Sequence, residues 1–373
     1  MPYLDDRAQR RSEIEQTLVD PSNGYSQLRL QNYALASGGW DALDEWNPAA
    51  APLAGDGSLG PAAALDLDID PLDDAALLAL GERAFFTYPV QPVPSGIASA
   101  GVWSDPARGL GGLVALDDGR LFGSCSTCHG SSRAGVLVPG LGNERIDLGR
   151  AVVNAGEVAA SNAAAYLAWG PGRVDVTTVA GTEPVRIPDL RAVQLLTFLQ
   201  ADADVAQIDL EALAIRLETL IITSTTNATS RPPRIVALAL ARYVWSLADP
   251  FAPADTTTDG AAVFAANCAS CHVPPAFTGA PVALDVVGTD PTIGDSLVRG
   301  TGSYRVPSLR GVGLRALLLH DGSLPSLDAM FDPARLDASY TGGVRAGAVP
   351  GHEFGLDLSD PDRTALLAYL EAL

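Results

Sequence analysis

Apolar residues recur at helical spacing in several stretches of the chain. A helix is predicted to begin near Asp73-Asp74, whose carboxylates suit a helix start, and to place Leu77, Leu80, Ala84 and Phe85 on one face. The segments DLEALAIRLETLII (Asp209 to Ile222) and PRIVALALARYVWSL (Pro233 to Leu247) show the same periodicity, and so does the closing DPDRTALLAYLEAL. GAAVFAANCASCH, from Gly260, reads as a short helix running into a cysteine motif. Between these lie turn-rich connections. Residues 1 to about 75 open as a charged helical segment and continue as an extended arm through GGWDALDEWNPAAAPLAGDG. Pro89 to Arg120 reads as a long loop, and ADPFAPADTTTDG (Ala248 to Gly260) is the clearest linker.

The pattern repeats. ALARYVWSL (Ala239 to Leu247) and ALLAYLEAL (Ala365 to Leu373) share Ala-Leu, a tyrosine and a final leucine at equal offsets. Gly81 and Phe85 match Gly260 and Phe264 in a Gly-x-x-x-Phe spacing. Each half reads as helix, cysteine motif, loops and closing helix, which suggests duplication of one unit.

Composition narrows the possibilities. With 373 residues the chain can hold two or three domains. A net charge of −20 argues against nucleic acid or an anionic membrane surface as partner. All 24 cationic side chains are arginine, so lysine-based catalysis is excluded. No apolar run reaches the roughly 18–20 residues needed to span a bilayer. No secretory signal opens the chain, since MPYLDDRAQRRSEIEQ lacks an apolar core.

The chemistry sits in two copies of Cys-x-x-Cys-His, one at Cys125, Cys128 and His129 and one at Cys268, Cys271 and His272. This spacing puts two thiols and an imidazole on one turn, as covalent attachment of a haem through its vinyl groups requires. A redox dithiol does not need the adjacent histidine. Paired zinc knuckles lie some 15–20 residues apart, whereas these motifs are separated by most of a domain. The reading is two covalent c-type haems, with His129 and His272 as proximal ligands. Such attachment takes place outside the cytoplasm, so the protein is expected to be periplasmic or otherwise exported, with a mature or altered N-terminus.

Distal ligands follow from counting. The remaining candidates are Met1, Met330, His320 and His352, since methionine or histidine normally completes an electron-transfer haem. Residues 76–250 hold no methionine and no histidine besides His129. The second haem has His352, in a Gly- and Pro-flanked loop, as first candidate, with Met330, Tyr340 or an empty position as alternatives. His320, between an apolar run and a turn, suits a buried hydrogen-bonding role at a propionate or an interface.

The chain resembles the bacterial di-haem cytochrome c peroxidase superfamily, which includes MauG-type maturation enzymes and is related to di-haem rubber oxygenases. The resemblance rests on LGERAFF (Leu80 to Phe86), both haem motifs, RVPSLRGVGLRALLLHDGSLPSLDAMF (Arg305 to Phe331) and GHEFGLDLS (Gly351 to Ser359), and covers roughly residues 77 to 373. It implies a mainly α protein: two cytochrome c-like domains, 76–250 with the catalytic haem and 251–373 with the electron-transfer haem, after an N-terminal extension over 1–75. It also implies a tryptophan between the haems, for which Trp169 lies at a suitable offset. A calcium ion bridging the domains would use Asn154 and carbonyls near Thr301 to Pro307. The switching histidine of the peroxidases is absent, which would leave the first haem open as in MauG-type enzymes. Glu144, Glu157 and Glu183 are candidates to move a proton in a bound peroxide, with Glu157 preferred, and Arg133 could contact a propionate or a bound oxygen species.

The expected activity is reduction of hydrogen peroxide, or activation of dioxygen, at the His129 haem. Electrons would pass through the His272 haem from a small redox protein or an organic reductant. The alternatives are a non-enzymatic electron-transfer cytochrome, a di-haem oxygenase or protein-modifying oxidase, and a gas- or partner-binding haem protein. Trp40 and Trp46 on the N-terminal arm could cover the active side or join two copies in a homodimer.

Overall fold

The computed structural model describes residues 1–33, 38–174, 184–225 and 228–373. The predicted helices form where the apolar spacing put them. One spans Asp74–Thr87, with the Asp73 carboxylate accepting from Ala75 N and Ala76 N. Others span Leu210–Thr225 and Arg234–Ser246, then Asp259–Asn267 and Asp360–Ala372. Thr258 caps the fourth and Ser359 the fifth, so these starts are fixed by a side chain replacing a missing backbone acceptor.

The repeat seen in the sequence is a repeated helix crossing. The Asp74–Thr87 helix packs on Arg234–Ser246, and Asp259–Asn267 packs on Asp360–Ala372. Glycine is required at both crossings. A Cβ on Gly81 would lie 1.9 Å from the Ala239 carbonyl oxygen, and one on Gly260 would lie 2.1 Å from that of Ala365. One turn on, Phe85 meets Tyr243 at 5.1 Å between ring centroids and Phe264 meets Tyr369 at 5.4 Å. Each crossing centres its own apolar core: one includes Leu77, Leu80, Phe85, Val236 and Leu240, the other Phe264, Phe277, Leu366 and Leu370.

Two departures from the sequence reading stand out. Pro89 to Arg120 is not loop throughout. Leu113–Leu116 and Leu121–Gly123 pair as a hairpin, joined on the outer edges by Gln91–Pro92 and by Ala50–Pro52 of the arm. The Asp117-Asp118-Gly119 turn carries the signal, an Asp-Gly pair between apolar runs, with Gly119 at φ 81°. The N-terminal arm, moreover, folds into the first unit. Tyr3, Ile14, Tyr33 and Trp40 are buried in its core, and Trp46 packs on Tyr88 and Phe122. Both arm tryptophans are thus occupied within their own chain. The arm also carries polar anchors: the Tyr3 hydroxyl donates to Glu218 at 2.7 Å, and Arg10 reaches Asp41 at 2.7 Å.

Arginine joins the two units. Arg133 donates to the Leu314 carbonyl at 2.8 and 3.1 Å, Arg173 to Asp321 O at 2.6 Å and Arg186 to Leu319 O at 2.9 Å. In the other direction Arg305 donates to Gln200 O at 2.9 Å. A guanidinium carries five donors in a fixed fork, so it can satisfy loop carbonyls that no strand or helix reaches. Among the described residues no helix is long and apolar enough to cross a membrane.

Candidate functional site

Each cysteine motif closes one helical turn. His129 N donates to Cys125 O at 3.0 Å, and His272 N donates to Cys268 O at 3.0 Å. The first turn is braced by Trp103, whose Nε1 donates to Ser126 O at 2.7 Å. It is also braced by Asn143, whose backbone N donates to Cys128 O at 2.8 Å. Gly130 is needed there, because a Cβ would lie 2.6 Å from Trp103 Nε1 and 2.7 Å from Ser126 O. No disulfide joins any of the four cysteines.

Both histidines are oriented in the same way. His129 Nδ1 faces the Pro188 carbonyl at 3.0 Å, and His272 Nδ1 faces that of Phe277 at 3.2 Å. A carbonyl at Nδ1 holds the proton there and leaves Nε2 as a lone-pair donor, the arrangement that orients metal-ligating imidazoles. Burial pushes His129 down to about 4, with Pro188 and Asp189 opposing, and lowers His272 as well. Both rings are therefore neutral, the ligating form, at ordinary pH.

The second site has a further imidazole close by. The His352 ring lies 6.3 Å from that of His272, centroid to centroid, at 56°. Two imidazoles sharing one metal at about 2.0 Å per bond sit about 6 Å apart by centroid, so this pair fits a shared iron. His352 Nδ1 is buried and makes no hydrogen bond among the described residues. The loop is held in an uncommon shape, with His352 at φ 46° beside Gly351 at 82°. Arg335, wholly buried, pins it by donating to Gly351 O and His352 O, both at 2.8 Å. Met330 is instead buried in the second core, on the short Leu327–Met330 helix. Tyr340 is partly buried against the same core.

The remaining candidates are spread along the unit junction. His320 stacks flat on Tyr304, 4.2 Å between centroids at 18°, and its carbonyl accepts from Arg186 N at 3.0 Å. Trp169 is buried, stacked on Tyr166 at 4.6 Å; its carbonyl accepts from Arg173, the residue that reaches Asp321. Arg133 pairs with Glu144 at 2.6 Å, and Ser131 also donates to Glu144 at 2.8 Å. Burial opposes but does not overcome these donors, so Glu144 titrates below the usual carboxylate range. Glu157 and Asn154 are exposed, beyond and at the end of the Leu148–Asn154 helix. Glu183 lies outside the described residues. The Thr301 to Pro307 segment is drawn to Ala201 and Asp202, by Arg305 N to Ala201 O at 2.9 Å and Thr301 Oγ1 to Asp202 O at 2.5 Å. Among the described residues no cluster of three or more His, Cys, Asp or Glu side chains is arranged to hold a metal ion.

Sequence reasoning missed Trp103, Pro188, Phe277 and Arg335. Two of these act through carbonyls that any residue could supply, and Pro188 reaches His129 from 59 positions away. Only Trp103 left a trace, as an aromatic inside a segment read as loop.

No protein-family model matches the chain, and none of the curated proteins matches it. Among solved structures it is similar to the crystal structure of the diheme peroxidase BthA from Burkholderia thailandensis. That likeness has 16% identity over 88% of this chain and 95% of that one, with a TM-score of 0.41.

Proposed function

We propose that the chain is an exported di-haem c-type cytochrome with peroxidase-like activity. The observation that carries this reading is the asymmetry of two otherwise equivalent turns. His272 has a second imidazole, His352, at the distance a shared iron demands. His129 has no histidine or methionine within residues 76–250 to play that part.

On this reading Cys125, Cys128 and His129 hold the first haem, and Cys268, Cys271, His272 and His352 the second. An open haem supplies redox chemistry toward hydrogen peroxide or dioxygen, and a closed one supplies electron storage. The protein's own share is positional. Pro188 and Phe277 fix the two proximal tautomers, and Arg335 holds the strained His352 loop so that its ring faces His272. Trp169, buried where Arg173 joins the units, is the proposed aromatic link between the haem sites. Glu157, accessible to solvent, is the proposed proton carrier for the first site, because Glu144 is already held by Arg133 and Ser131. The oxidised partner would be a small redox protein or an organic reductant.

The test is steady-state consumption of hydrogen peroxide by the two-haem protein with a reducing dye as donor. Turnover that vanishes in His129→Ala supports the enzyme. A two-haem protein with no turnover on peroxide or dioxygen would leave the electron-transfer cytochrome as the better account.

A further inference from the structure

The two proximal histidines belong to different units, yet one ion pair links the residue after Pro188 to the Ser308–Arg310 segment of the second unit. Pro188, facing His129, is followed by Asp189. Asp189 Oδ2 accepts from Arg315 Nε at 2.9 Å. Arg315 Nη1 donates to Ser308 O at 2.7 Å and Nη2 to Arg310 O at 2.8 Å. Ser308 follows Pro307, whose backbone reaches the His272 ring. The pair is nearly sealed, with side-chain exposures of 3% for Asp189 and 6% for Arg315. The cavity beside it, also lined by Glu144 and Arg186, holds about 20 Å³, room for about one water.

Positive charge is crowded here. Arg191 also binds Asp189, at 2.6 Å through Nη2. Arg186 and Arg305 are half-buried close by, and their affinity for protons falls first through loss of hydration and then through Arg315. Burial would raise the Asp189 carboxyl, but Arg315 and Arg191 outweigh it and hold it at about 2. One carboxylate thus offsets several guanidinium groups in a nearly sealed setting, where charges act over longer distances than in water.

We propose that Asp189 and Arg315 form a positioning pair that couples the two haem sites, each charge acting on both irons at once and with opposite sign. The inference rests on the di-haem reading. Loss of the Asp189 charge leaves the arginines unbalanced and favours the reduced, less positive iron on both sides. Loss of the Arg315 charge does the reverse.

The experiment is a spectroelectrochemical titration of holoprotein, after the haems per chain have been counted as pyridine haemochromes. Asp189→Asn is expected to raise both reduction potentials, Arg315→Gln to lower both, and the double variant to return toward the parent. Arg315→Lys, which keeps the charge, should shift both less than Arg315→Gln, and it tests the proposal even where Asp189→Asn fails to fold. A shift confined to one haem, or shifts of the same sign from both substitutions, would overturn the coupling and mark the pair as merely structural. A parent protein carrying fewer than two haems would instead sink the di-haem reading.

Discussion

Alanine at Gly81 or Gly260 tests the repeated crossing directly. At Gly81, inside its helix, the change should be favourable by about 1 kcal/mol on propensity alone, and at Gly260, in the first turn, by less. The crossing opposes it. The new methyl would lie 1.9 Å from the Ala239 carbonyl oxygen and 2.8 Å from Tyr243 Cβ at the first site, and 2.1 Å and 2.7 Å from the matching atoms of Ala365 and Tyr369 at the second. Backbone cannot swing aside as a flexible side chain can, so the helices must separate by about an ångström, loosening the Phe85–Tyr243 or Phe264–Tyr369 contact. Overpacking of this kind costs about 1–3 kcal/mol, and a clash with backbone belongs at the upper end. The net loss is about 2 kcal/mol, or about 4–8 °C in Tm for the first unit and more for the shorter second one. Thermal unfolding followed by circular dichroism reads it, with Gly60→Ala as control, since a Cβ there meets nothing closer than 3.5 Å. Either crossing variant melting at or above the parent would refute the argument.

His352→Ala should leave two covalent haems and convert the second into one that binds cyanide, whereas Met330→Leu should leave the spectrum unchanged at a cost under about 1.5 kcal/mol; visible spectra distinguish the two. Tyr3→Phe removes the 2.7 Å bond to the wholly buried Glu218 carboxylate and should cost about 1–3 kcal/mol in chemical denaturation. Asp202, raised to about 7 by burial and then by Asp204, with Arg299 opposing, binds its proton more tightly folded than unfolded. Its contribution is complete below about pH 4, the ordinary carboxylate value, and is lost as pH rises through about 7. Asp202→Asn should therefore flatten the stability profile between pH 4 and 8, and an unchanged slope would count against the assignment.

Much of this was legible in the residues because it is local or arithmetic. Five helices follow from periodicity, and the crossings from Gly-x-x-x-Phe with its matching tyrosine, since only glycine allows two backbones so close. The proposed asymmetry of the two cysteine–histidine sites rests on where four histidines and two methionines fall. What the sequence did not carry is the long-range polar wiring. Nothing beside Pro188 announces that its carbonyl meets His129, and Asp189 and Arg315 lie 126 positions apart. The Asp117 to Gly119 turn was readable and was passed over because glycine and proline around it suggested loop. Trp40 and Trp46 looked available for a partner because burial by one's own chain leaves no mark in composition.

The central claim is that the two irons differ in coordination, and the visible and electron paramagnetic resonance spectra of the oxidised protein as isolated report both at once. The account predicts one low-spin haem and one high-spin haem, with cyanide shifting only the high-spin signal and His129→Ala abolishing it. Two low-spin haems, neither responding to cyanide, would contradict it.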